Sequence, residues 1–131
     1  MSFLLDTNIC SAHIKQRGGL SHRFVQHAGR LCIPTIVLGE LYSWAYRRPD
    51  PSKLLSIIER DLLQEVTVLD FDQRCARQYG QLRGELAKVG AIVNPVDLMI
   101  AVVALVNDLI LVTNNTKHFE VVPNLRTVDW I

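Results

Sequence analysis

The 131 residues carry 14 Lys and Arg against 13 Asp and Glu, and 49% of them are hydrophobic. This is the composition of one soluble globular domain, residues 1–131, with a full core. A net charge of +1 excludes a protein that holds nucleic acid through a global basic field, so local patches of Arg and Lys would have to do any such steering.

Residues 2–5, SFLL, predict a short apolar strand that runs straight into Asp6, Thr7 and Asn8. A helical pattern follows over 9–16, with Gly18 and Gly19 placed to end it. A second helix over 20–28 sets Leu20, Phe24 and Val25 on one side and closes at Gly29. Residues 31–33 read as a strand stopped by Pro34, and 35–48 as a helix with aromatic residues, broken by Pro49 and Pro51. The next helix spans 52–64, and 66–69 alternates as a strand does. A long polar helix over 71–89 carries Arg74, Arg77, Arg83 and Lys88 and ends at Gly90.

The most informative stretch is 92–113, IVNPVDLMIAVVALVNDLILVT. Asn94 is placed to cap a helix, Pro95 fits its first position, and Asp97 then falls at the third, where amide groups are free. Apolar residues surround this helix on all sides, which predicts burial, and Ala101 and Ala104 leave room on the face of Asp97. A strand over 109–112 follows and ends in the polar run Thr113, Asn114, Asn115, Thr116. A short segment at 117–119 and a strand over 126–129 complete the chain. Strands separated by helical crossovers predict an α/β fold with a mainly parallel sheet covered on both faces.

Pro95, Asp97, Asn107 and Asp108 interrupt the apolar stretch, so it does not read as a membrane span. An acid at position 6 stops the apolar segment that a signal peptide needs, and the expected compartment is the cytosol. Cys10, Cys32 and Cys75 are odd in number and lack metal-ligand spacing, which predicts small core residues. His13, His22 and His27 also lack metal-pair spacing, whereas His118 lies toward the crevice.

In an open α/β sheet the functional crevice lies beyond the carboxyl ends of the strands. Asp6 follows the first strand, Asn115 follows the strand ending at Val112, and Asp97 opens the helix that feeds that strand. Glu40 lies in the second turn of its helix, beyond the reach of an amino-terminal cap, among Ile36, Val37, Ser43 and Trp44. No Lys or Arg stands three or four residues away to compensate it. Each acid also has a local reading: Asp6 as a helix cap, Asp97 as a partner of the helix dipole, Glu40 as an exposed rim residue. Jointly they suggest a hard-cation site of the kind Mg²⁺ or Mn²⁺ accepts.

Four ordered segments carry a resemblance: FLLDTN at 3–8, IVLGELYSWAYR at 36–47, NPVDLMIAVVAL at 94–105 and LVTNNTKHFEVVPNLRTVDW at 111–130. Across its length the chain resembles the PIN-domain ribonucleases, in particular the VapC toxins of bacterial toxin-antitoxin pairs. The resemblance implies a three-layer α/β/α PIN-like fold. It also implies that Asp6, Glu40 and Asp97 are the acidic metal ligands, with Thr7, Asn8 and Thr113 as polar residues flanking them. The fourth acidic place of the family holds Asn115, a departure that removes a negative charge and bears on a second metal.

The same resemblance implies Mg²⁺- or Mn²⁺-dependent cleavage of RNA, often a tRNA loop, by metal-activated water, leaving a 5′-phosphate and a 3′-hydroxyl. It further implies a cognate VapB-type antitoxin that covers the crevice, and a homodimer. Arg47, Arg48 and Lys117 are candidate RNA contacts, with Lys53, Arg74 and Arg77 as further cations. Ile9, Ile14, Leu20, Phe24, Val25, Tyr42 and Tyr46 are candidate partner contacts. Two other readings stay open on the residues alone: a non-catalytic PIN-like binding module, favoured by Asn115, and a metal-dependent phosphatase built on Asp6. The second lacks an acid at position 8, where the sequence is Asp-Thr-Asn.

Overall fold

Runs of consecutive apolar residues form a sheet only where both of its faces are covered, and the three central strands of this chain are such runs. The computed structural model describes residues 2–131. It contains β1 (Phe3–Leu5), β2 (Leu31–Pro34), β3 (Thr67–Leu69), β4 (Ile110–Val112) and β5 (Thr127–Val128), all paired in parallel in the order β3-β2-β1-β4-β5. The central strand β1 is buried along its whole length. Pro34 ends β2 without breaking it, pairing in register with Leu69 at the sheet edge.

The helices are α1 (Thr7–Ile14), α2 (Ser21–Gln26), α3 (Thr35–Tyr46), α4 (Ser52–Ser56), α5 (Leu63–Glu65), α6 (Gln73–Lys88) and α7 (Pro95–Val106). A π-helical stretch, Ile57–Leu62, joins α4 to α5 and turns Ile58 and Leu62 into the core. The result is the three-layer α/β/α architecture expected, with a sheet that is wholly parallel rather than mainly so. As predicted, Asn94 caps α7: its Oδ1 accepts from the amides of Val96 at 2.9 Å and Asp97 at 3.3 Å. From Ile100 to Ala104 every residue of α7 is buried, and Ala101 and Ala104 are fully so.

Three helices end in the same way, with a left-handed residue closing crossed hydrogen bonds to the last turn. At the end of α6 this residue is Gly90, while Ala91 N–H donates to the Leu86 carbonyl at 2.9 Å. After α7 it is Asp108, with Leu109 N–H donating to the Ala104 carbonyl at 2.9 Å. For α1 the glycines at 18 and 19 were the expected stop, but Gln16, at φ 56°, takes the left-handed position and Arg17 N–H reaches the Ala12 carbonyl at 2.8 Å. The helix therefore stops two residues short of the periodic pattern.

Leu20 and Phe24 of the α2 region are buried, but Val25, grouped with them on sequence, is 78% exposed. The six-residue helix is too short to bury a second side. Cys10 and Cys75 are buried and Cys32 half-buried, all three as free thiols. Burial pushes the Cys10 thiol far above its ordinary value, which removes it from thiolate chemistry. His13 stacks on Phe24, with ring centroids 3.6 Å apart, and has a structural place.

A non-glycine residue in the left-handed region costs about 1 kcal/mol. Gln16→Gly is therefore expected to raise stability by roughly that amount, read as a higher urea midpoint at unchanged slope. An unchanged or lowered midpoint would show that Gln16 is not strained.

Candidate metal centre

Parallel pairing of β1 with β4, with Leu5 opposite Val112, brings the residues that follow both strands to one sheet edge. There the Thr113 hydroxyl, fully buried, donates to Asp6 Oδ2 at 2.8 Å. The backbone N–H of Thr7 donates to Asp6 Oδ1 at 2.7 Å, and Asn8 Nδ2 approaches Oδ2 at 3.4 Å. Asp6 is thus both the cap of α1 and a carboxylate held by three donors at 5% exposure. Across the same edge the Asn8 amide oxygen accepts from Asn114 N–H at 3.0 Å, tying the DTN turn to the TNN turn. These contacts place Thr7, Asn8 and Thr113 directly against Asp6.

Glu40 projects from the second turn of α3 and accepts a hydrogen bond from the Thr7 hydroxyl on Oε1. It is exposed, so water bears most of the desolvation cost that its apolar neighbours on the helix suggested. Asp97 at the third position of α7 is half-buried, with His118 Nδ1 3.6 Å from its Oδ2. Burial chiefly, and then the negative charge of Asp6, hold the Asp97 carboxyl above its ordinary range; Glu40 adds to this, while His118 opposes it. Asp97 therefore lies close enough to feel the charge of both other acids. Among the described residues none of them is paired with Lys or Arg.

Asn115 stands two residues past Thr113, its own N–H bonded to the Thr113 hydroxyl at 3.0 Å and its side chain exposed. Among the described residues no three His, Cys, Asp or Glu side chains close into a cage able to hold a metal directly. The donor set nonetheless fits Mg²⁺ or Mn²⁺: hard oxygen ligands, uncompensated charge, and space for water. Mg²⁺ in particular keeps several waters and binds through only one or two carboxylates.

Next to the acids lies a groove of about 330 Å³, lined by Thr7, Ser11, Lys15, Glu40, Ser43, Trp44 and Arg47. On the far side of Asp97, a second depression is lined by Ile92, Val93, Asn94 and His118. Lys15, Ser11 and Trp44 were not singled out on sequence; the only signal available was the position of Trp44 one turn beyond Glu40 on α3. Arg47, a predicted contact, lines the groove, while Arg48 lies beyond it and Lys117 is exposed in the 3₁₀ turn Thr116–Phe119.

Comparison with known proteins agrees with this architecture. A PIN-domain family model matches residues 3–125. The tRNA(fMet)-specific endonuclease VapC of Shigella flexneri is 43% identical over 131 residues, 99% of this chain and 98% of its own. Ribonuclease VapC2 of Haemophilus influenzae is 38% identical, covering 100% of this chain and 99% of its own. Among solved structures, DNA-bound VapBC from Salmonella typhimurium superposes with a TM-score of 0.93 at 39% identity, over 100% of this chain and 99% of that one. The chain belongs to the PIN-domain family, on its VapC branch.

The raised carboxyl of Asp97 sets a sign for stability. The folded chain holds that proton more tightly than the unfolded chain, so stability falls as pH rises from the ordinary Asp value through the raised one, and the deficit is complete above it. Without divalent ions, Asp97→Asn is expected to melt higher than the parent at neutral pH, and the gap should close on acidification through the carboxylate range. A variant that melts lower at neutral pH would contradict the electrostatic account.

Proposed function

We propose that this chain is an endoribonuclease toxin that hydrolyses RNA with the help of Mg²⁺ or Mn²⁺, a tRNA loop being its substrate class, and that a VapB-type antitoxin silences it by covering the crevice. The observation that carries the reading is the gathering of Asp6, Glu40 and Asp97 at one sheet edge, with Thr7 bonded to both Asp6 and Glu40 and with no Lys or Arg paired to any of the three among the described residues. Such a cluster disfavours a phosphate unless a cation stands between. A bound divalent cation would supply positive charge at the scissile phosphate and make water acidic enough to serve as nucleophile at neutral pH.

The chain's own groups do the positioning. Thr113, Thr7 and Asn8 fix both oxygens of Asp6, so that Asp6 would meet an ion without reorganising, and Asp97 would be the second carboxylate to hold it. Glu40 has one oxygen engaged by Thr7. The other is free to take the proton of the attacking water. Asn115 offers an amide oxygen where the family resemblance implies a carboxylate, which favours one tightly held ion over two. Arg47, Arg48 and Lys117 supply positive charge for phosphates on either side.

Support for the substrate comes from the Shigella relative, which is by name specific for tRNA(fMet). Support for the partner comes from neighbours solved as VapBC complexes, from Salmonella typhimurium and from Rickettsia felis, the latter with a TM-score of 0.91 at 33% identity. We read the toxin as a cytoplasmic homodimer; no helix among the described residues is long and apolar enough to cross a membrane. Exposed Val25 and Tyr46 are suited to a partner contact, whereas Ile9, Leu20 and Phe24 are committed to the core. Membership of the PIN family favours RNA hydrolysis over phosphoaspartate chemistry.

Incubating the purified chain with tRNA should give products with 5′-phosphate ends. EDTA should abolish cleavage and Mn²⁺ restore it. Asp6→Asn and Asp97→Asn are each expected to lower kcat at least about a hundred-fold while melting cooperatively. Parent-rate cleavage by either variant, or cleavage in EDTA, would refute the mechanism. RNA binding without cleavage by the parent would instead identify a non-catalytic module.

A further inference from the structure

The groove that holds Glu40 does not end at Trp44. Its distal wall is formed by Lys15 and Trp44, and these two side chains also begin a second depression, of about 150 Å³, that continues past Arg48 and Lys53. Lys15 and Trp44 are the ridge between the two, with the ammonium 5.2 Å from the indole centroid. Trp44 is half-buried, anchored in α3 with part of its ring open to the groove.

Lys15, Arg47, Arg48 and Lys53 are all exposed, and among the described residues none is paired with a carboxylate. A protein of net charge +1 thus places four cations along one path that begins at Glu40. A strand of phosphates drawn toward repelling carboxylates needs such a path. An aromatic ring set among unpaired cations is, in addition, what single-stranded nucleic acid uses, since every base has a face to stack.

Building on the endoribonuclease reading above, we propose that Trp44 is a base-stacking subsite for a single-stranded RNA segment beside the scissile phosphate, with Lys15 and Lys53 holding the phosphates of that segment. The Lys15 ammonium over the ring does not bar a base. A cation over an exposed indole is worth less than a stacked base, and the flexible lysine can exchange the ring for a phosphate. Trp44 would act on affinity and not on the reacting atoms.

The test uses the cleavage-dead Asp6→Asn chain and the active parent, with a single-stranded oligoribonucleotide as probe. Trp130 is 8% exposed, so fluorescence quenching by the probe should report Trp44 and vanish in Trp44→Leu. In the active chain, Trp44→Leu should raise KM roughly five- to a hundred-fold with the loss confined to KM, while Trp44→Phe keeps most of the parent's affinity. Lys15→Gln and Lys53→Gln, both at exposed positions, should each reduce the slope of log affinity against log salt by about one.

If RNA is cut but Trp44→Leu leaves KM and quenching at parental values, the subsite is refuted and the ribonuclease stands. If the parent cuts no RNA, the ribonuclease reading fails, and quenching in the Asp6→Asn chain still decides the subsite. Base-free polyphosphate that quenches as strongly as RNA would assign the groove to charge alone and overturn stacking.

Discussion

The hydrogen bond from the buried Thr113 hydroxyl to the Asp6 carboxylate is the contact on which the rest of the site depends. An ionised carboxylate at 5% exposure costs several kcal/mol unless it is compensated. Here the Thr7 amide, the Thr113 hydroxyl and the Asn8 amide supply the compensation, each such bond to a charged group contributing about 1.5–3 kcal/mol when well formed. Thr113 reaches Asp6 because β1 and β4 pair with Leu5 opposite Val112. A one-residue slip would turn the side chains at this edge to the opposite face.

The same edge gathers charge of both signs in separate places. Asp97 enters from the amino terminus of α7, where free amides favour an acid, and Glu40 from α3, where Thr7 engages one of its oxygens. The charge of Asp6 and Glu40 disfavours ionised Asp97, and a bound cation would relieve this. Lys15, Arg47, Arg48 and Lys53 lie outward along the groove, too far along to pair with the acids and well placed for a polyanion approaching them. A protein of net charge +1 thereby carries a local positive path without a global positive field.

Much of this was legible in one dimension. Capping by Asn94, the entry of Pro95 and the all-round apolar pattern located α7 and placed Asp97 in its first turn. The helix ends were less legible: α1 ends at Ile14, closed off by left-handed Gln16, because crossed hydrogen bonds to Ala12 and His13 outweigh the strain of a non-glycine residue, and no local pattern announces that balance. Glu40 was singled out as an acid stranded among apolar neighbours. The structure gives it a different setting: the carboxylate faces water, and Thr7 holds one of its oxygens.

The sequence by itself determined the alternation of apolar strands and helices, the parallel sheet and the identity of the acids, because those follow from periodicity, capping chemistry and four ordered motifs read along the chain. Only the tertiary structure decided that Thr113 buries the Asp6 carboxylate, that His118 stands beside Asp97, and that Lys15 from the end of α1 lies over Trp44 from α3. Those pairings join residues 107, 21 and 29 positions apart. Strand register and helix packing bring them together, and neither leaves a mark on any single stretch of sequence.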